Sequence, residues 1–234
     1  MLKIFILKLF VKIIGISDVH GSKKAIEKAI KEFKEKRANY LLLAGDITYF
    51  NRDFDYMKVL EPIFKEKIPL IVIPGNHDDS LILKTVLSRL KDKYKSEFFF
   101  IEKNFFETKK FIFLGFSANN IGPTKEIYSE NESEDILNDL FKKIKNKLKK
   151  KKLITISHIH PYGYLEEKYD IEGSFAWFNF IKRFKPIFHF HGHLHEALGE
   201  KYKINKTEVF CLGIKPFFFE LKSQVNQKNK EEKK

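Results

Sequence analysis

The sequence predicts an α/β fold in which strands run parallel and helices cover the sheet faces. Three observations carry this. Short apolar runs recur at residues 12–17, 40–44 and 69–73, each of strand length and each followed by a polar cluster. Between them lie longer segments whose apolar residues return at helical spacing. All eight histidines fall in short clusters within or directly after a predicted strand, at positions 20, 77, 158, 160, 189, 191, 193 and 195. None sits in the Lys-rich helical stretches, so the pattern is not chance scatter.

Taken in order, residues 12–17 form the first core strand and lead into Asp18-Val19-His20-Gly21. Ser22 is placed to cap a helix whose apolar stripe is Ala25, Ile26, Ala29, Ile30 and Phe33. The second strand ends in Gly45-Asp46, and a loop with Asn51, Arg52 and Asp53 enters a helix that ends near Lys67. The third ends in Pro74-Gly75-Asn76-His77-Asp78-Asp79, before a helix carrying Leu81, Val86, Leu87 and Leu90. From Glu97 the texture changes: residues 98–101, 105–106 and 111–115 read as short aromatic strands of an antiparallel meander. A polar loop, 117–131, precedes a helix with Ile136, Leu140, Phe141 and Ile144 on one side. Residues 153–157 are a buried strand ending in His158-Ile159-His160-Pro161-Tyr162-Gly163. Residues 173–184 read as a helix and 187–190 as a strand that Gly192 interrupts. Three closing antiparallel strands are expected at 201–204, 207–212 and 216–221.

With 234 residues, 43% hydrophobic and 25 of them Phe, the chain suffices for one well-cored domain, expected over 12–222. Cys211 is alone, which excludes a disulfide framework and a cysteine zinc cage and points to a reducing, cytoplasmic setting. The apolar opening is interrupted by Lys8 and Lys12 and falls short of the ~20 residues of a membrane span. No small-residue cleavage site follows it. Residues 1–11 are therefore expected to be a strand-like lead-in without a membrane role, and 223–234 a disordered basic tail. The net charge of +13 attracts anions of any kind. Much of the excess lies in 142–152 and the tail, which reads as a solvated face more than a nucleic-acid patch.

Five strand ends deliver side chains of ligand type: Asp18 and His20; Asp46; Asn76, His77 and Asp78; His158; His193 and His195. Each alone has an ordinary explanation as a turn, a cap or a hydrogen-bonded structural histidine. Together they lie at strand carboxyl ends, where α/β sheets bind ligands. Carboxylate, imidazole and amide oxygens without thiolates suit divalent transition metals: Mn, Fe, Zn, Ni or Co.

The set Asp18-x-His20, Gly45-Asp46, Gly75-Asn76-His77-Asp78, His158 and Gly192-His193-x-His195 resembles the calcineurin-like metallophosphoesterases. It spans roughly 12–221 and is most similar to the small Icc-related predicted phosphoesterases, with residues 158–163 and 180–199 adding to the likeness. The resemblance implies a four-layered α/β/β/α sandwich of two mixed sheets flanked by helices. It implies two metal ions about 3.5–4 Å apart. Asp18, His20 and His195 would bind the first, Asn76, His158 and His193 the second, with Asp46 bridging. A hydroxide shared by the metals would attack phosphorus in line with the leaving oxygen. By the same resemblance His77 is not a ligand. It would stabilise charge on the phosphoryl or leaving group, or act as general acid, with Asp78 fixing its tautomer. Asn76 and His77 would also touch substrate.

Departures from the family pattern add further expectations. Ile47-Thr48-Tyr49-Phe50 follow Gly-Asp, where many relatives carry a charged residue, so Arg52 is the nearest candidate for substrate phosphate. His160 stands in place of an expected Pro and either lines the site as a substrate contact or faces solvent. His189 is expected to pack, and His191 to support a ligand by a hydrogen bond. The function expected is dinuclear-metal-dependent hydrolysis of a phosphate ester, a small phosphodiester first, because no large cap is available and only 51–55, 117–131 and 164–172 remain to shape the mouth. A nuclease is the alternative substrate reading, and a catalytically silent metal-binding scaffold the alternative class. The partner expected is a phosphate-ester substrate, in a monomer or homodimer; nucleic acid is not favoured.

Overall fold

Apolar residues that alternate along strands, with both faces covered, build two sheets packed face to face. The computed structural model describes residues 10–120, 122–123 and 126–222. The tail at 223–234 and most of the lead-in at 1–11 lie outside the described residues. The first half runs β1 (Phe10–Ile16), α1 (Lys23–Lys36), β2 (Tyr40–Ala44), α2 (Asp53–Lys65), β3 (Leu70–Ile73), α3 (Ser80–Tyr94) and β4 (Phe98–Phe100). The second runs β5 (Asn104–Glu107), β6 (Phe111–Gly115), α4 (Glu130–Ile144), β7 (Lys152–Ile156), α5 (Tyr164–Tyr169), α6 (Phe175–Phe184), β8 (Phe188–His191), β9 (Lys201–Ile204), β10 (Thr207–Cys211) and β11 (Phe217–Lys222).

One sheet has the order β11-β1-β2-β3-β4, the other β5-β6-β7-β8-β10-β9. Strands β1 to β4 are parallel, as are β6, β7, β8 and β10, with β11, β5 and β9 antiparallel at edges. Alternation divides the core. Ile14, Leu41, Leu43 and Val72 face α1, α2 and α3, whereas Ile13, Leu42, Ile71 and Ile73 face Phe111, Phe113, Ile154 and Phe190 of the second sheet. Ile112, Leu114 and Leu153 then meet α4 and α6 through Leu140 and Trp177. This is the four-layered α/β/β/α sandwich. Each fully buried aliphatic or Phe side chain contributes roughly 1.5–3 kcal/mol, so truncating Phe113 between the sheets would cost about 3–5 kcal/mol.

The expected meander at 98–115 is corrected. β4 pairs parallel with β3, while β5 pairs antiparallel with β6 in the other sheet. Phe98 and Phe100 pack on the helix side, and Phe99 and Ile101 face the second sheet. A segment apolar on both faces needs a place between two layers, not in a hairpin with one wet face. Of the closing strands only β9 and β10 form a hairpin; β10 runs parallel to β8, and β11 crosses to pair with β1. The stretch 164–172, expected to help shape the mouth of the site, contains α5. The predicted cap is present: Ser22 accepts from the Ala25 N–H at 3.3 Å. No helix among the described residues is long and apolar enough to cross a membrane.

Candidate active site

Parallel strands point their carboxyl ends the same way, so the loops after β1, β2, β3, β7 and β8 converge at one edge of the sandwich. The Asp18 N–H donates to Gly45 O and the His20 N–H to Asp46 O, both at 3.0 Å, joining the first two loops. The Gly192 N–H donates to His158 O at 3.1 Å, joining the loops after β7 and β8. Asp18, His20, Asp46 and His193 adopt positive φ values of 53°, 44°, 51° and 71°. Left-handed backbone costs a side-chain-bearing residue roughly 1–2 kcal/mol, so four such residues together mark a site that the surrounding packing holds under strain. The glycines of the motifs have a steric origin. A Cβ on Gly75 would lie 2.1 Å from Asp46 Oδ1, and one on Gly45 would lie 2.5 Å from His158 Nδ1.

The donor atoms meet in two groups. Asp18, His20 and His195 place ligand atoms within 4.8 Å of one another, and so do Asp18, Asp46 and His158. Asp18 belongs to both groups, and the Asp46 carboxylate reaches toward a histidine of each: Oδ2 is 3.6 Å from His20 Nε2, and Oδ1 is 3.4 Å from His158 Nε2. The Asn76 Oδ1 atom lies 2.8 Å from His158 Nε2 and 3.1 Å from His193 Nδ1. His195 Nε2 is 3.5 Å from Asp18 Oδ1 and 3.4 Å from His20 Nε2. The structure thus brings together all seven side chains read from the sequence as ligands. They also fit a metal on chemical grounds. His158 Nδ1 lies 2.9 Å from Ala44 O, a carbonyl that can only accept, so the proton is held there and Nε2 can present a lone pair.

Electrostatics follow from this crowding. Burial alone would raise the Asp46 carboxyl, but the His158 charge and hydrogen bond, the His77 N–H and the His20 charge together outweigh it and hold Asp46 well below the usual carboxylate range. Burial alone would lower His158, yet Asp46 raises it to about 10 in the metal-free protein. Burial likewise opposes ionisation of Asp18, and the hydrogen bonds with His195 and Ser17 and the His158 charge together reverse the balance. His193 is lowered to about 4, by burial and then by the His158 charge.

The remaining predicted residues divide. The His77 N–H donates to Asp46 Oδ1 at 2.9 Å, and its ring stands edge-on to His20 with centroids 5.4 Å apart. Asp78 does not orient that ring. Its buried carboxylate accepts from the backbone N–H of Gly75 at 2.8 Å, of Ile47 at 3.1 Å and of Thr48 at 3.3 Å, and from the Tyr56 hydroxyl at 3.1 Å. Its work is to tie the Asp46 loop to the Asn76 loop. Tyr56, buried on α2, and Asn51, which accepts from Tyr56 and from the Asp79 N–H, belong to the same knot. Sequence reasoning missed this role for both, because a Tyr on an apolar helical stripe looks like any core residue and an Asn in a polar loop like any turn residue. Arg52 is exposed, paired with Asp55 at 2.6 Å and stacked 5.2 Å from the Phe50 ring centroid. Its charge is thus directed to α2 and not to the donor cluster. His160 does not face solvent: it is fully buried, with neither ring nitrogen hydrogen-bonded. His189 lies between the hydroxyls of Thr155 at 2.9 Å and Ser157 at 3.0 Å. His191 Nδ1 lies 3.0 Å from Gly192 O, a backbone carbonyl and not a ligand side chain.

The family model of the calcineurin-like phosphoesterases matches residues 11–197, and the chain belongs to that family. It is 28% identical over 218 residues to the uncharacterized protein MJ1162 of Methanocaldococcus jannaschii, covering 89% of this chain and 91% of that one. Among solved structures it resembles TT1561 of Thermus thermophilus, with a TM-score of 0.69, 18% identity and coverage of 87% and 89% of the two chains. It also resembles GAP50, the anchor in the inner membrane complex of Plasmodium, with a TM-score of 0.60, 14% identity and coverage of 88% and 72%. These likenesses are of fold. Membership of the family makes the chain a metal-dependent hydrolase of phosphoester bonds.

Proposed function

We propose that residues 12–222 form a cytoplasmic phosphoesterase that uses two divalent metal ions to hydrolyse a small phosphodiester. Asp18, His20 and His195 would hold one ion and Asn76, His158 and His193 the other, with Asp46 shared. The observation that carries this reading is the Asp46 carboxylate, whose two oxygens each lie against a different imidazole, His20 and His158. When bound, such ions supply Lewis acidity toward the phosphoryl oxygens and a nucleophilic water near neutral pH. The protein contributes placement. His158 offers Nε2 because Ala44 takes its other nitrogen, and Asp46 is fixed by the His77 N–H. The His77 ring stands beside the cluster without a hydrogen-bond partner of its own among the described residues, free to meet charge growing on the leaving oxygen or to protonate it.

GAP50, which shares the fold, is described as an anchor, so fold alone does not carry an enzymatic reading; the complete donor set does. The test is to strip the protein, reload it separately with Mn, Fe, Zn, Ni or Co, and screen chromogenic mono- and diesters, cyclic nucleotides and DNA. Two ions per chain and hydrolysis favouring small diesters are expected. Full metal occupancy with every ester untouched would make the chain a silent scaffold. Turnover of DNA whose binding weakens steeply with salt would make it a nuclease.

A further inference from the structure

A cavity of about 370 Å³ opens beside the donor cluster, lined on one part by Asp18, His20 and His195 and on another by Tyr49, Leu198 and Ile214. The volume lies near the low end of small-molecule pockets, roughly 300–1,000 Å³, room for a ring system but not for a long acyl chain or a polynucleotide. No Lys or Arg is among its lining residues. A second phosphate entering there would meet apolar walls and the Asp18 carboxylate, so the cavity does not suit a polyphosphate.

Tyr49 gives the cavity its character. Its ring lies nearly parallel to the His20 imidazole, with centroids 4.1 Å apart and planes 10° from parallel. His20 takes one face, the His77 and Phe50 rings stand edge-on to it with centroids 5.7 and 6.3 Å away, and the residue still remains 52% exposed beside the cavity as an aromatic ledge. Ile214, 43% exposed, adds an apolar rim without polar atoms in its side chain. Stacking surfaces of this kind favour planar rings, offset or edge-on, beyond what area burial supplies. We infer that the cavity receives the organic substituent of the ester, and that this substituent is an aromatic or heteroaromatic ring stacked on Tyr49 against Leu198 and Ile214. The inference rests on the phosphoesterase reading above, with the phosphoryl group on the donor cluster and its substituent beside it. It assigns Tyr49, Leu198 and Ile214 to specificity and leaves the bond-breaking chemistry to the cluster.

The test is calorimetric titration of the Mn-loaded protein with phenylphosphonate, pentylphosphonate and methylphosphonate, whose C–P bonds resist ester hydrolysis. Metal content is measured in the same samples. Phenylphosphonate is expected to bind about tenfold tighter than methylphosphonate, the order of gain for a stacked, buried ring. Tyr49→Ala removes the ledge and Ile214→Trp fills the rim; each should bring that ratio close to one. Should Tyr49→Ala also lose metal, Ile214→Trp decides alone, since Ile214 is not among the proposed ligands. A wild-type ratio near one, or a ratio that the deciding variants leave intact, overturns the inference and leaves the phosphoesterase reading standing. Pentylphosphonate binding as tightly as phenylphosphonate overturns the aromatic assignment. None of the three phosphonates binding while esters are still hydrolysed overturns the cavity's role. None of the three binding and no ester hydrolysed removes both readings.

Discussion

His158 and His160 stand two residues apart after β7, and both are fully buried. Their surroundings nevertheless drive them in opposite directions. For His158, burial is outweighed by the Asp46 carboxylate, which raises it to about 10. For His160 burial acts almost unopposed and lowers it to about 4. A contrast of partners holds along β8 and the loop that follows it. His193 and His195 meet carboxylate or amide oxygens from the loops of the first sheet, whereas His189 and His191 meet hydroxyls and a backbone carbonyl. Burial therefore does not distinguish a histidine of the donor cluster from one outside it. Oxygen donors arriving from the other sheet do, and Asp18, Asp46 and Asn76 are those donors.

The largest test of this contrast removes the shared carboxylate. Asp46→Asn should lower metal affinity and turnover by more than about 100-fold, beyond the ~10–100-fold effects of groups that only support ligands. Retained metal by elemental analysis, with turnover intact, would show that the oxygen donors do not define the ligand group. Next in size is Asp78→Ala, which strands the buried N–H groups of Gly75, Ile47 and Thr48. Buried donors left unsatisfied cost roughly 1–3 kcal/mol each, so denaturant titration should show a loss of at least about 3 kcal/mol. Turnover per bound metal should change little in whatever folds. A selective loss of turnover with stability unchanged would return Asp78 to the side of His77.

The pH dependence sharpens the contrast further. His158 in the metal-free protein has a folded pKa above its unfolded value of 6.5, so its pairing with Asp46 stabilises fully below pH 6.5. That contribution is lost as pH rises toward about 10. His160 at about 4 and His191 at about 3 have folded values below 6.5. For them the unfolded chain binds more protons, and stability falls as pH drops from 6.5 toward 3–4. Melting temperatures of the metal-free protein should therefore decline on both sides of neutrality. Metal binding needs the neutral imidazole, so the loaded protein should lose the alkaline decline and release protons on loading. An alkaline limb unaffected by metal would detach His158 from the ligand group. The smallest effect is expected for His189→Gln, which can still meet Thr155 or Ser157: about 1 kcal/mol of stability and turnover within about twofold. A large loss of activity there would place a structural histidine among the functional ones.

Much of this was legible in the chain. Apolar runs of strand length identified β1, β2, β3 and β7, because each is covered on both faces and tolerates few polar residues, while the alternation of Phe with His identified β8. The glycines before Asp46 and Asn76 and before His193 stand where carboxylate, imidazole or hydroxyl atoms come too close for a Cβ. The aromatic stretch at 98–115 misled because continuous apolarity tells that both faces are covered but not by which layer, and β4 and β5 belong to different sheets. Residue order by itself determined the strand ends, their polar clusters and the lack of a thiolate cage, since these follow from local periodicity and residue chemistry. Only the tertiary structure decided which histidines meet an oxygen donor, where the Asp78 carboxylate points and that Arg52 turns to Asp55. Those outcomes depend on side chains from distant segments competing for the same few ångströms, and pairwise distance across two sheets is not written in spacing along one strand.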